Sequence, residues 1–442
     1  MTVMPSNLPC LIDPASLRED PLAFLARARS RFGDAIIIGH GAPLFSPAAD
    51  CPGVVALFGS HHHRQVLADF RSFVSPESTA RALGLPDNII NLNRSLHSMH
   101  GRQHETHKSV LAEAMTPALL VRQQASIVAA VDSFADAWRQ AGSIPIFAGM
   151  RSLIAEVAVI LLFGEAHPSR GELQAVLDQY FDVRRLVSAT QPNGAVAEVG
   201  NALDAALSAA IDAADGKDGL PARLAADLGD AAARAHINVL FMSMAEPVTV
   251  AVTWLLLILS QQPALRRDLR AAYLGKTAKA VLPVKIEHAI LESLRLLSPS
   301  AVMVRVTSRE VACADAVLPP GCEIVLAPFL AHRDPAVFPQ PTLFQPERWT
   351  RKTPSVFEYL PFGAGVHACI GRRLAISLIG MIVGEMLVRA DPVLTYEQAV
   401  DWRIDITFRP RFDIEMSATN ILCSSTRGVV RWHGPVAQLI EF

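Results

Sequence analysis

The stretch FGAGVHACIGRRLA, beginning at Phe362, sets a lone cysteine, Cys369, between a glycine-rich approach and an apolar run through Leu374, Ile376, Leu378 and Ile379. That is the arrangement a protected thiolate needs. A sulfur that ligates iron has to stay deprotonated and unoxidised, which requires backbone N–H donors close by and little solvent. Glycines at 363, 365 and 371 let the main chain come that near, and a place at the start of a helix adds the positive end of its dipole. A buried structural cysteine behind a glycine-rich turn is the competing reading, because a free cysteine often serves as a small core residue. Cys369 taken alone fits either.

Two further groups of residues carry charge at helical spacing. In HAILESLRLLSPS, Glu292 and Arg295 are three apart and share a helix face, where an isolated ion pair is worth only about 0.2–0.5 kcal/mol. In HGRQHETHK, His104 and Lys108 lie one turn apart and can address one target. With these in place, the spacing Phe362, Gly365, His367, Cys369, Gly371 resembles the haem-binding signature of the cytochrome P450 family, in which a cysteine thiolate holds haem iron. The resemblance covers nearly the whole chain and is densest from Glu292 to Ala375. It implies haem b (heme, iron-protoporphyrin IX) as cofactor, with Cys369 as the axial metal ligand and Phe362 and Gly363 opening the loop that binds it. It implies that His104, Lys108, Arg305 and His367 meet the two propionates, with Lys108 departing from the usual arginine: the charge is kept and the bidentate fork lost. It also implies that Arg348, from the coil AHRDPAVFPQPTLFQPERW, joins Glu292 and Arg295 in a buried triad that holds the fold around the cysteine loop.

The chain departs from the family where an acid and a threonine usually stand over the haem. Here the sequence reads SMAEPVTV: Glu246 keeps the acid, Pro247 replaces the threonine, and Met244 replaces a glycine. Cleavage of an O–O bond needs two protons delivered to the distal oxygen, which the threonine hydroxyl ordinarily helps to organise. Proline has no hydroxyl and no N–H, and it releases the carbonyl of Ser243 four residues back. Glu246 and Ser243 are therefore the candidate catalytic residues. Either Pro247 only supplies a kink while a substrate hydroxyl completes the relay, or the reaction has changed to peroxide-driven oxidation, oxidative coupling or cyclisation, or rearrangement.

The elements that must position these groups are mostly helical. Apolar periodicity predicts helices over about 21–31, 61–70, 102–115, 117–139, 148–163, 170–188, 195–215, 221–232, 234–260, 263–274 and 284–297. Strand-like runs fall at 35–38, 53–58, 303–311 and 323–327, with short strands in the last forty residues. Residues 75–96 read as an irregular loop and 334–361 as proline-punctuated coil. Asn238–Ser260 is apolar for the length of a membrane span, but Glu246 and Pro247 at its centre favour a helix buried through a globular protein. No repeat or linker is visible, so the expected fold class is mainly α with small β-sheets. One cytochrome P450-like domain is expected over 1–442, with haem between the central helix and the cysteine-loop helix.

Lys and Arg number 40 against 42 Asp and Glu, a balance that speaks against nucleic-acid partners and against a polybasic membrane protein. Six scattered cysteines suggest a reducing compartment, and the opening MTVMPSNLPCLIDPASLRED lacks the basic start and apolar run of a signal peptide. The expectation is a cytoplasmic protein with no membrane span. What the resemblance implies is an O2-dependent monooxygenase of a small organic or natural-product substrate, taking electrons from a ferredoxin- or flavodoxin-type donor. A haem-binding sensor without turnover is the reading from another class. Substrate contacts are expected from the loop at 75–98, the helices around 165–200, the central helix, the strand after Pro299 and a hairpin near Ser424.

Overall fold

The computed structural model describes all residues except 1–3, 48–49, 77–84, 95, 165–169, 187–192, 213–218, 277–281, 352, 406 and 420–428. It divides into two compact units. The first comprises Met1–Leu85, Ser300–Pro341 and Thr353–Cys369; the second comprises Pro86–Pro299, Thr342–Lys352 and Ile370–Phe442.

The first unit is built on a five-stranded sheet in the order Ala35–His40, Gly53–Leu57, Glu323–Leu326, Met303–Thr307, Phe73–Val74. Gly53–Leu57 and Glu323–Leu326 pair in parallel and the other neighbours antiparallel. Gly53–Leu57 and Glu323–Leu326 are buried on both faces, which is why, apart from Glu323, they read as apolar runs and not as alternation. The period of two still sorts their side chains. Val55, Leu57, Ile324 and Leu326 pack with Val66, Leu67, Phe73 and Leu360, whereas Val54, Ala56 and Val325 pack with Phe24, Leu25 and Ala28 of the helix Pro21–Phe32. That helix starts where the sequence allows it to: Asp20 accepts from the Ala23 N–H at 2.8 Å, and Pro21 takes the first helical position.

The second unit is helical. Its central helix, Asp230–Ser260, runs 31 residues and packs against Ile146–Phe163, Leu220–Leu228, Val284–Leu296 and the helix Arg372–Arg389 that follows the cysteine in the chain. Ile146–Phe163 and Asp230–Ser260 are both long and apolar enough to cross a membrane, but 61% and 83% of their most apolar windows are buried inside the protein, which accounts for their composition. Between Ala235 and Ser260 only Val239, Met242, Ser243 and Pro247 escape burial. They recur at helical spacing and form one narrow accessible stripe. Pro247 stands inside the helix, where it denies the Ser243 carbonyl its usual N–H. The Thr249 hydroxyl donates back to the Ala245 carbonyl, a second influence that bends a helix at the same turn.

Most expected elements are present with ends shifted by a few residues. The long helix expected over 117–139 is broken at Gln123 into Pro117–Arg122 and Gln124–Ala141, and the strand expected over 303–311 divides into Met303–Thr307 and Val311–Cys313. The loop expected over 75–96 contains a helix, Asp87–Leu92. Its stabilisation comes from elsewhere in the chain: Asn238 of the central helix donates to the Leu92 carbonyl at 2.9 Å, and Asn93 to the Ile89 carbonyl at 2.7 Å and the Tyr180 hydroxyl at 2.6 Å.

Candidate functional site

In the first unit the chain approaching Cys369 is held by backbone bonds. Leu360 donates to His332 Nε2 at 2.8 Å, Gly363 donates to the Leu360 carbonyl at 3.0 Å, and Cys369 donates to the Phe362 carbonyl at 2.9 Å. Gly363 and Gly365 have φ of +64° and +74°, in the left-handed region. At Gly365 a Cβ would also run into the Leu67 carbonyl of the helix Gly59–Ala68, so glycine is required there twice over. The result is a loop that projects the Cys369 side chain into accessible space. Cys51, Cys313 and Cys322 are buried, and burial pushes the thiols of Cys313 and Cys322 up to about 11 and about 12, so neither supplies thiolate at neutral pH. Among the described cysteines only Cys10, beside His40, is exposed like Cys369, and it has no such loop.

Arg305 lies on the strand next to this loop. Met303, two residues earlier and on the same face, has its Cε 3.5 Å from where a Gly363 Cβ would be. Arg305 is buried, its Nη1 donates to the Val304 carbonyl at 2.8 Å, and no carboxylate pairs with it among the described residues. Burial alone lowers its pKa, with no acid to oppose the shift. His367, the fourth expected propionate partner, is half-buried in the short turn Gly365–His367, and Phe362 is half-buried beside it.

In the second unit the helix Gly101–Ala114 carries buried His104 and half-buried Lys108 one turn apart. Burial, reinforced by the charge of Lys108, lowers the pKa of His104, so at neutral pH it is an uncharged imidazole. Ser243 is exposed on the accessible stripe of the central helix, whereas Glu246, on the same face by helical spacing, is buried. The Thr407 hydroxyl donates to Glu246 Oε1 at 2.6 Å, and Arg409 Nε lies 3.7 Å from the same oxygen. Neither partner is visible by spacing, since Thr407 is 161 residues away. A second unforeseen contact, His107 Nδ1 to His236 Nε2 at 2.7 Å, ties the His104 helix to the central helix.

The expected triad is assembled. Arg295 reaches Glu292 through both Nε and Nη2 at 2.9 Å, and Arg348 Nε reaches Oε1 at 2.8 Å. Two donors not foreseen, the Trp349 indole and the Gln345 N–H, complete the carboxylate at 3.0 Å each. Residues 77–84 and Ser424, expected near substrate, lie outside the described residues.

This donor set fits a haem: a projecting thiol for iron, and beside it a buried guanidinium that a propionate would neutralise. The comparisons with known proteins agree. The family described as Cytochrome P450 matches residues 201–394. Cyclooctatin synthase of Streptomyces melanosporofaciens is 32% identical over 146 residues, which are 31% of this chain and 32% of that protein. Cytochrome P450 3A40 of Oryzias latipes is 28% identical over 41% of this chain and 39% of its own. The matches thus span about a third of the length of these two relatives. A Mycobacterium bovis protein carrying the name cytochrome P450 139 is 24% identical over 79% of this chain and 87% of its own. Among solved structures, retinoic acid-bound cyanobacterial CYP120A1 superposes with a TM-score of 0.77 at 19% identity, covering 94% of this chain and 99% of that one. P450BioI, solved with an acyl carrier protein bearing hexadec-9Z-enoic acid, gives 0.71 at 19% identity, covering 92% and 100%. The fold is that of a haem-thiolate protein. Residues 201–394 of this chain match the cytochrome P450 family, and the family implies haem as the cofactor.

Proposed function

We propose that this chain is a haem-thiolate monooxygenase, a single domain over 1–442, that inserts oxygen from O2 into a small, largely apolar organic molecule. Electrons would come from a ferredoxin- or flavodoxin-type donor in the cytoplasm. The observation that carries the reading is the projecting Cys369 thiol with the acid-free buried Arg305 on the strand beside its loop. The relative named as a synthase supports a biosynthetic substrate.

When bound, the haem supplies the redox-active iron at which O2 is reduced and split. Cys369 would hold the iron, Phe362 and Gly363 would shape the loop beneath it, and His104, Lys108, Arg305 and His367 would hold its carboxylates. Val239, Met242 and Pro247 present an apolar stripe from which a bound apolar substrate would displace water. On that stripe the Ser243 hydroxyl, and its carbonyl freed by Pro247, can each hold a water or a substrate group, while Glu246 would take up and release a proton at its carboxylate.

Titrating candidate compounds while following the low-spin to high-spin change of the Soret band tests the reading, followed by product, O2 and NADPH stoichiometry for each compound that binds. One product per NADPH and per O2 is the expected result. Binding without turnover from any electron source would establish the sensor reading instead. Pro247 gives the second enzymatic reading, peroxide-driven or coupling chemistry, a specific basis. Pro247→Thr raises coupled oxygen insertion on the native substrate if that reading holds, and leaves it level or lower if the substrate supplies its own hydroxyl.

The donor is expected to meet the exposed side chains of Arg102, Arg372 and Arg373. Arg372→Glu is expected to slow first-electron transfer several-fold at low salt, with the gap to wild type closing as ionic strength rises. Stopped-flow reduction rates that ignore both the charge reversal and the salt would remove that surface from the proposal.

A further inference from the structure

We infer that Thr407, on the C-terminal hairpin, supplies the hydroxyl that Pro247 deletes from the central helix, acting as the proton-passing partner of Glu246. The inference rests on the haem-thiolate reading and names a residue that reading leaves out. Thr407 precedes the strand Phe408–Pro410, which pairs with Trp402–Ile404, and the hairpin is fastened to the central helix at three points. The Trp254 indole donates to the Phe408 carbonyl at 3.0 Å, the Thr407 hydroxyl donates to Glu246 Oε1 at 2.6 Å, and Arg409 Nε lies 3.7 Å from that oxygen. Thr407, Glu246 and Arg409 are all buried. Arg409 also donates to Asp405 at 2.8 Å, and Asp405 is exposed, so the cluster runs from solvent to the turn that carries Pro247.

The chemistry of each member assigns its part. A hydroxyl has one proton to give and two lone pairs to accept with, so it passes a proton without changing charge. When Glu246 is protonated, its O–H gives the proton to Thr407 Oγ1 while Thr407 gives its own to a water at the accessible stripe. Glu246 is left a carboxylate and takes one proton back from solvent directly, through the small part of the residue that stays accessible and not through Arg409. No electrons move, and the net change is one proton carried from solvent to that water. Arg409 does not relay, because a guanidinium does not lose its proton in a protein. It is a positioning residue: its charge faces Glu246 on one side and is shared with Asp405 on the other. The threonine has therefore moved from the residue after the acid to a hairpin that the fold brings against it.

The test uses haem-loaded enzyme and four variants: Thr407→Val, Thr407→Ser, Glu246→Gln and the double Thr407→Val/Glu246→Gln. The first readout is the infrared C–O stretch of the ferrous-CO complex in H2O and in D2O, which senses an exchangeable donor near the bound gas without turnover. Wild type and Thr407→Ser are expected to show a solvent-isotope shift of that band, and Thr407→Val to lose it. The second readout is product per NADPH, expected to fall about tenfold or more in Thr407→Val, to recover in Thr407→Ser, and to fall no further in the double variant than in the worse single one. A wild-type band and coupling ratio in Thr407→Val, or losses that add in the double variant, overturn the inference. If Thr407→Val does not fold, coupling in Thr407→Ser equal to that in Glu246→Gln does the same. A wild-type protein that lacks the thiolate-type ferrous-CO absorption would instead sink the haem-thiolate reading itself.

Discussion

Cys369→Ser protein is expected to lose the thiolate-type ferrous-CO absorption completely while keeping its helical circular dichroism. The two readouts separate because serine keeps the backbone bond that anchors this residue in its loop. The Cys369 side chain is exposed, and the residue donates its backbone N–H to the Phe362 carbonyl at 2.9 Å, a bond that serine makes equally well. A hydroxyl in place of a thiolate offers iron neither the soft donor nor the electron density that the family relies on. Cys10→Ser is the matched control, since Cys10 is the other exposed cysteine among the described residues; its absorption should be that of wild type. Survival of the absorption in Cys369→Ser would overturn the metal assignment.

Arg295→Ala should give protein that is aggregated or free of haem. Arg295 and Glu292 are fully buried, and the carboxylate is met by five donors from four residues: Arg295, Arg348, Trp349 and Gln345. Arg295 Nη2 also donates to the Leu343 carbonyl at 3.1 Å. Removing one partner of a buried pair costs about 3–5 kcal/mol, a large share of a total stability of about 5–15 kcal/mol. The coil around Arg348 would lose an anchor, because Arg295 holds both the Glu292 carboxylate on which Arg348, Trp349 and Gln345 converge and the Leu343 carbonyl. Arg295→Lys should rescue little, since an ammonium cannot span both carboxylate oxygens. A stable, haem-loaded Arg295→Ala enzyme with altered kinetics alone would show the triad to be catalytic and not structural.

How far these residues could be read in the sequence follows from how local their causes are. The cysteine loop was legible because its glycines answer to backbone conformation, which φ at Gly363 and Gly365 now shows, although the obstruction by the Leu67 carbonyl comes from a distant helix. The triad was legible from the resemblance and from i,i+3 spacing, while Trp349 and Gln345 were not, because neither indole nor backbone donors betray a target by spacing. The helix Asp87–Leu92 was missed for a different reason: its last carbonyl is satisfied by Asn238, 146 residues on, and propensity cannot register a cap supplied from elsewhere. The setting of Glu246 was missed on the same ground. Its place on the helix is readable, but the partners that meet its carboxylate stand on the C-terminal hairpin.

Arg305 has a bearing on the life of the chain before any chemistry. A guanidinium withdrawn from water next to the cysteine loop, with no acid among the described residues to offset it, is a debt the polypeptide cannot settle by itself. An anion that paired with Arg305 would bind the folded state and not the unfolded one, and so would pull the folding equilibrium by mass action. If haem carries that anion, its supply would then set how much folded protein a cell accumulates. Haem starvation would be felt first as proteolysis of newly made chains, ahead of any shortage of turnover.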